Sequence, residues 1–310
     1  MKNNFIKSPI NYTGNKFRIL PQIMPHFNKN IKVFVDLFCG GATVGFNVEA
    51  EKIILIDNNK HIINLLETLA KEDIDKIINE IEKNISKYNL SYSYKYGYKH
   101  YKEYVLGNNG LKEYNKEGFY KLREEYNLLK NKSTFKANIM LYTLMVYAFN
   151  NDIRFSNEDK FNLPVGKTDF NKNNYQKLIE YNKRAKSINY EYVCGDFKSQ
   201  KIKNIVLGAD YVYCDPPYLI TTAVYNENHG WSEENEIELL NLLKQVDDNK
   251  GKFALSNVLK KVGKENTLLM NWLRENNYKK HEINYHYRSA SYNKKNRDSR
   301  EEEVLITNED

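Results

Sequence analysis

The stretch "IKVFVDLFCGGATVGFNVEAEKIILID" (31–57) limits the fold more than any other part of the chain. "IKVFVDLF" (31–38) is a mainly apolar run, the pattern of a parallel strand covered on both faces. "CGGATVGFNVEA" then reads as a Gly-rich turn entering a helix, and "KIILID" (52–57) as a second strand ending in an acid. Strand, Gly-rich turn, helix, strand and acid make the opening half of a doubly wound nucleotide-binding sheet. Asp57 follows Asp36 by roughly 20 residues, the spacing at which such sheets set an acid on ribose hydroxyls. An α/β protein is expected, with its ligand at the C-terminal edge of a parallel sheet.

From about Asn59 to Phe149 the pattern turns helical, with no convincing strand: "NKHIINLLETLA", "IDKIINEIEKNISKY", "GFYKLREEYNLLK" and "FKANIMLYTLMVYAF". A tyrosine-rich break, "LSYSYKYGYKHYKEYVLGNNG", interrupts it, and an Asn- and Asp-rich loop closes it at 150–174. Alternation then resumes. "YNKRAKSI" reads as helix, "YEYVCGDF" and "ADYVYC" as strands, and "SEENEIELLNLLKQV" as a helix capped by Ser232 with acids in its first turn. "KFALSN", "KKHEINYHYR" and "EEEVLIT" are further strands. The expected organisation is one discontinuous sheet domain (1–60 and 171–310) interrupted by a helical domain (61–170). Inserts of that size in α/β folds usually carry specificity.

Asp36, Asp57, Asp196 and Asp215 each end a strand read as parallel, so they share the edge where such sheets bind ligands. After Asp215 come Pro216, Pro217 and Tyr218. Two adjacent prolines cannot donate backbone hydrogen bonds, so the strand stops there. Taken alone, "DPPY" is either a surface turn or a grip for a flat polar group. "FCGGAT" is not GxGxxG and has no Walker lysine after it, which disfavours dinucleotides and triphosphates. An acid-rich pocket repels phosphate and suits a cationic cofactor with ribose hydroxyls, such as S-adenosylmethionine. Ser256 and Asn257 in "ALSN" either line the base pocket or make structural hydrogen bonds.

In their order, "SPINYTGNK", "DLFCGGATVGF", a helical insert and "DPPY" resemble the DNA adenine N6-methyltransferases of the Dam and DpnII type, the alpha group or D12 class. The resemblance covers nearly the whole chain. It implies a Rossmann-like S-adenosylmethionine-dependent methyltransferase sheet with a helical target-recognition insert. The implied activity is methyl transfer to a flipped-out adenine in a short site on double-stranded DNA. The implied setting is a restriction–modification system, with a separately acting endonuclease, or an orphan Dam-like enzyme.

The resemblance also implies roles. Tyr12, Gly14 and Lys16 contact the cofactor, Lys16 at its carboxylate. Asp36, Phe38, Cys39 and Gly40 form the Gly-rich wall. Asp57 takes ribose hydroxyls, and Asp196 with Phe197 takes the cofactor's adenine. Asp215 and the Pro216 carbonyl accept the two amine hydrogens of the target adenine, Pro217 stiffens the turn and Tyr218 stacks on the base. Arg154 falls where the family reads guanine and Pro164 where it touches DNA; Asn11 and Asn150 join them as DNA contacts. Some relatives carry lysine where Asn11 stands, a hydrophobic wedge where Asp152 stands and glycine where Ala42 stands. GATC is the family's commonest target, but Asn11 and Asp152 leave the recognition sequence open, and Ala42 is expected to leave the reaction unaffected. In the basic loop near the C-terminus, Lys294, Lys295 and Arg297 are expected to meet phosphates. The segment "LITTAVYNENHGW" is expected to close over the flipped base.

Composition agrees without deciding. The 310 residues carry a net charge of +7 and 25 tyrosines, which suits phosphates and bases. An A/T-rich genome would give the same Lys, Asn, Ile and Tyr bias. The 3 cysteines are scattered, so neither a disulfide framework nor a zinc site is expected. No apolar run reaches the ~18 residues of a membrane span, and "MKNNFIKSPINYTGNK" lacks a signal-peptide core. A cytoplasmic protein of bacterial or phage origin is expected, monomeric or transiently dimeric, with no metal. Two rival readings stay open. One is methyl transfer to RNA or a glutamine side chain, whose enzymes usually lack the long insert. The other is an inactive DNA-binding regulator on the same fold.

Overall fold

The computed structural model describes residues 5–105, 107–220, 230–261, 263–284 and 302–309. Its frame is a mixed sheet. Strands β1 (Ile31–Leu37), β2 (Ala50–Asp57), β3 (Tyr190–Cys194), β4 (Tyr211–Cys214) and β5 (Lys252–Lys261) pair in parallel in the order β3-β2-β1-β4-β5. The two-residue β6 (Lys264–Glu265) folds back on β5. Beyond β5, the antiparallel β8 (Glu302–Thr307) and then β7 (Lys279–Glu282) finish the sheet. This is a Rossmann-like α/β sheet, and its strand order reverses between β1 and β4.

Period-two alternation divides the strand side chains between two covered faces. Phe34, Ile53, Leu55, Tyr211, Tyr213 and Leu305 face one core. Val35, Leu37, Ile54, Ile56, Val212, Cys214, Phe253 and Ile306 face the other. Burial on both sides is why these strands read as nearly continuous apolar runs.

The second face is covered by α8 (Gln200–Leu207), α9 (Glu233–Asp248) and α10 (Thr267–Glu275). On the first face, after the one-turn α1 (Leu20–Ile23), lie α2 (Lys60–Lys71), α3 (Ile74–Lys87), α5 (Lys112–Leu128), α6 (Phe135–Tyr147) and α7 (Lys172–Ala185), with the one-turn α4 (Ser93–Tyr96) between α3 and α5. Side-chain caps set the starts: Asn59 for α2, Asp73 for α3, Ser232 for α9. Helix α6 is buried almost all round, as its mostly apolar sequence requires, and its buried Asn138 and Thr143 are hydrogen-bonded.

One expected element is absent. The Gly-rich turn does not enter a helix; only a single 3₁₀ turn, Gly45–Asn47, precedes β2. The Asp36 carboxylate accepts the Gly45 N–H at 2.8 Å, and the Asn47 amide donates to the carbonyls of Ile6 and Thr43. These side chains satisfy the groups a longer helix would have paired, and β2 opens at Ala50, too soon for another turn. Helices α8 and α10 and strand β6 were not legible in the sequence. Both helices are short, and their start signals, Ser199 and Asn266, stand out only once the caps are seen.

Candidate active site

The reversal between β1 and β4 fixes where a ligand can sit, because the loops leaving these strands diverge and open a crevice. Leu37 pairs with both Ile56 and Cys214, so the ends of β1, β2 and β4 lie level. A cavity of about 470 Å³ opens at this edge, a size that suits a small organic ligand. Its lining takes in Tyr12, Gly14, Lys16, Asp36, Phe38, Cys39, Gly40, Asp57, Asp196 and Phe197. Asp215, Pro216, Pro217 and Tyr218 line it too. The fold thus brings the expected cofactor and catalytic residues to one cavity from five separate stretches of chain.

The Gly-rich turn is tight and strained. Phe38 and Ala42 hold positive φ values of +66° and +56°, a conformation that disfavours bulky side chains. Gly40 (φ +48°) is held by packing as well: a Cβ there would fall 2.7 Å from ring atoms of Tyr12. The N-terminal motif therefore lies directly against the turn. Ala42 carries the strain that a glycine would relieve. The buried Thr43 hydroxyl lines the cavity and has no hydrogen-bond partner among the described residues.

The acids differ in setting. Asp36 lies inside β1 rather than at its end and is fully buried. Desolvation pushes its carboxyl up to about 8, against the Gly45 hydrogen bond, with repulsion from Asp215 and Asp57 adding to the rise. Burial also raises Asp57, against backbone N–H groups led by Asn59 and Gly40, which its oxygens accept at 2.9 and 3.0 Å. Asp196 is more open and accepts the Lys198 N–H at 2.9 Å. Both oxygens of Asp215 are engaged: one takes the Tyr218 hydroxyl at 2.9 Å, the other lies 2.7 Å from the Lys16 ammonium. Lys16 also donates to the Gly14 carbonyl at 3.0 Å and sits 3.9 Å from the buried Glu303 on β8. In this structure its charge therefore rests on the DPPY acid.

Residues 12–292 match the family described as D12 class N6 adenine-specific DNA methyltransferase. The chain belongs to this family. The type II methyltransferase M.FokI of Planomicrobium okeanokoites is 38% identical over 99% of this chain. The modification methylase StsI of Streptococcus sanguinis is 33% identical over 98% of it. In each case the match spans only 43% of the relative's own length. The DNA adenine methylase of Escherichia coli K12 is more distant, 24% identical over 73% of this chain and 69% of that protein.

In this D12 class chain Arg154, Pro164, Asn11 and Asn150, expected at DNA, are not among the residues that line the cavity. Arg154 and Asn162 face each other across a hairpin-like loop: Arg154 Nε donates to the Asn162 side chain at 2.8 Å, and the Asn162 N–H to the Arg154 carbonyl at 3.1 Å. The same loop is closed by Phe155 and Phe161 and exposes Arg154 and Pro164. Asn150 stands at its root with φ +58°. Asn11, on the N-terminal motif, accepts a hydrogen bond from Lys177 at 3.0 Å. His61 at the start of α2 steadies the loop, stacking on Phe155 and bonding Asp159 at 2.5 Å.

Lys294, Lys295, Arg297 and most of the expected closing segment (221–229) lie outside the described residues. Ser256 and Asn257 do not line the cavity. Ser256 bonds the buried Tyr213 hydroxyl, and Asn257 bonds Glu236. Sequence reasoning missed Trp231 as a cavity residue, reading it only as the end of a loop. Among the described residues no group of His, Cys, Asp or Glu is arranged to hold a metal, and no helix is long and apolar enough to cross a membrane.

Proposed function

We propose that this chain forms the methyltransferase unit of a site-specific DNA adenine N6-methyltransferase that uses S-adenosylmethionine. The observation that carries the reading is the single cavity shared by the Gly-rich turn, Asp57, Asp196 and the DPPY turn. The cavity suits that cofactor on two counts. Its acids disfavour phosphate, and the Thr43 hydroxyl, without a partner among the described residues, offers a polar contact. Tyr12, Gly14, Asp36, Phe38, Cys39 and Gly40 would wall it, Asp57 would take the ribose, and Asp196 and Phe197 the adenine. When bound, S-adenosylmethionine supplies a methyl group activated by its sulfonium.

The protein's own part is to hold a poor nucleophile. The adenine amine has its lone pair delocalised into the ring. Acceptance of its hydrogens by the Asp215 carboxylate and the Pro216 carbonyl returns electron density to nitrogen and turns the lone pair into the cavity. Tyr218 stacks on the base. Most of the effect is orientation and stabilisation of positive charge growing on nitrogen. Reaching the base means flipping it from the duplex, at a cost of a few kcal/mol. Lys16 pairs with Asp215 in this structure; it would be the residue to hold a cofactor carboxylate, which would leave Asp215 to accept the amine. Helices of the 61–170 segment and the Arg154 loop would meet double-stranded DNA, Arg154 reading guanine beside Asn11, Asn150 and Pro164. The names of the relatives favour a restriction–modification setting.

The test is transfer of labelled methyl from S-adenosylmethionine to unmethylated double-stranded DNA, with the label expected at adenine N6. Asp215→Ala is expected to abolish transfer while cofactor binding persists. Label appearing in RNA, in protein or at cytosine overturns the reading. So does clean DNA binding with no methylation at high enzyme and cofactor concentration.

A further inference from the structure

Trp231 stands in the cavity with two other rings. Its centroid lies 5.5 Å from Phe38 and 5.5 Å from Phe197, and those two are 5.3 Å apart. The indole meets Phe38 edge-on at 83° and leans over Phe197 at 32°. All three rings line the cavity, and Phe197 follows Asp196 directly in the chain.

What orients the indole is unusual. Its N–H donates at 2.5 Å to Glu236, a carboxylate only 1% exposed in the first turn of α9. The other Glu236 oxygen accepts Asn257 at 3.2 Å and Asn266 at 3.0 Å. Both amides are themselves fixed, Asn257 by the Val258 N–H and Asn266 by the Leu269 N–H at the start of α10. Strand β5 and the start of α10 thus hold one acid whose only partner on the cavity, among the described residues, is the indole. A buried carboxylate is costly, and a packed phenylalanine would seal the core without one. The arrangement makes sense when the angle of the ring matters.

We propose that Trp231 forms the third wall of the purine site for the cofactor's adenosine end, and that Glu236 is a positioning residue that sets the indole plane. This rests on the S-adenosylmethionine reading above. Stacking on a purine needs a flat face at a fixed angle, and the pinned indole beside Phe197 supplies it.

The sequence has 2 tryptophans, so Trp272→Phe leaves Trp231 as the sole indole reporter. In that background, titration with S-adenosylhomocysteine is expected to change the emission saturably, with the same midpoint as calorimetry. Adenosine alone is expected to reproduce the change, and methionine alone not. Trp231→Ala is expected to weaken S-adenosylhomocysteine binding roughly tenfold or more. Glu236→Gln is expected to weaken it several-fold with Trp231 present and to have no effect in a Trp231→Phe background; a merely structural role would act equally in both. Calorimetric binding with unchanged emission, or an unchanged affinity in Trp231→Ala, overturns this inference alone. Absence of any S-adenosylhomocysteine binding to the wild-type chain overturns the cofactor reading beneath it.

Discussion

Asp36 shows most clearly how the fold sets the chemistry of one side chain. Its carboxyl is pushed by burial to about 8 from an ordinary 3.8. Between about pH 4 and pH 8 the folded chain keeps a proton that the unfolded chain has released. Stability therefore falls as pH rises through that window, by up to about 1.4 kcal/mol per unit, and levels off above it. Asp36→Asn keeps an acceptor for the Gly45 N–H and removes the titration. Urea midpoints at pH 5 and pH 7.5 are expected to differ less in Asp36→Asn than in the wild type; an unchanged gap would show that Asp36 ionises normally. The sequence placed this acid at the ligand edge, yet its burial was invisible there. It depends on the turn folding back so that Gly45 meets the carboxylate.

At the scale of elements, the helical segment depends on close backbone approach. Gly118 lies mid-way along α5, where a Cβ would fall 1.9 Å from the Tyr88 carbonyl oxygen just past α3. Alanine is the better helix former by about 1 kcal/mol, so propensity alone favours Gly118→Ala. The clash is with backbone, which cannot swing aside, and overpacking of this kind costs roughly 1–3 kcal/mol or more. The expected outcome is a destabilised protein with a lower urea midpoint; a higher midpoint would mean that α5 stands away from the α3 turn. The longer sheet strands and the four long helices of the insert were readable: burial on both strand faces leaves near-continuous apolar runs, one-sided burial leaves a helical period in α2, α3 and α5, and α6 is a long, mostly apolar stretch. Trp231 was not. Its partners Phe38, Phe197 and Glu236, and the Asn257 and Asn266 that hold Glu236, are scattered along the chain, and only the fold assembles them.

At the scale of the whole molecule, one core joins the helices between β2 and β3 to a face of the sheet. Leu65, Leu66 and Leu69 of α2, Ile77 and Ile81 of α3, Phe119 and Leu122 of α5, and Leu141 and Leu144 of α6 share one cluster with Phe34, Leu55, Tyr211 and Tyr213 of the sheet. Helix α7 straps the two parts further. Its Asn182 amide donates to the Leu69 and Glu72 carbonyls, both at 2.9 Å, and Arg184 donates to those of Phe46 and Val48. Separable domains meet across small, more polar interfaces with few crossing contacts. Here removing the helices would strip one sheet face of its cover. Equilibrium unfolding is therefore expected to be one transition. Tryptophan emission reports only the sheet part and its cavity, because Trp231 lies in the cavity and Trp272 in α10. Far-UV circular dichroism is weighted toward the helices of the insert. The two signals are expected to give the same urea midpoint, and replacing 61–170 by a short linker is expected to yield a chain that does not fold. Two well-separated midpoints, or a soluble folded sheet lacking the insert, would show that the shared core is not what holds the sheet together.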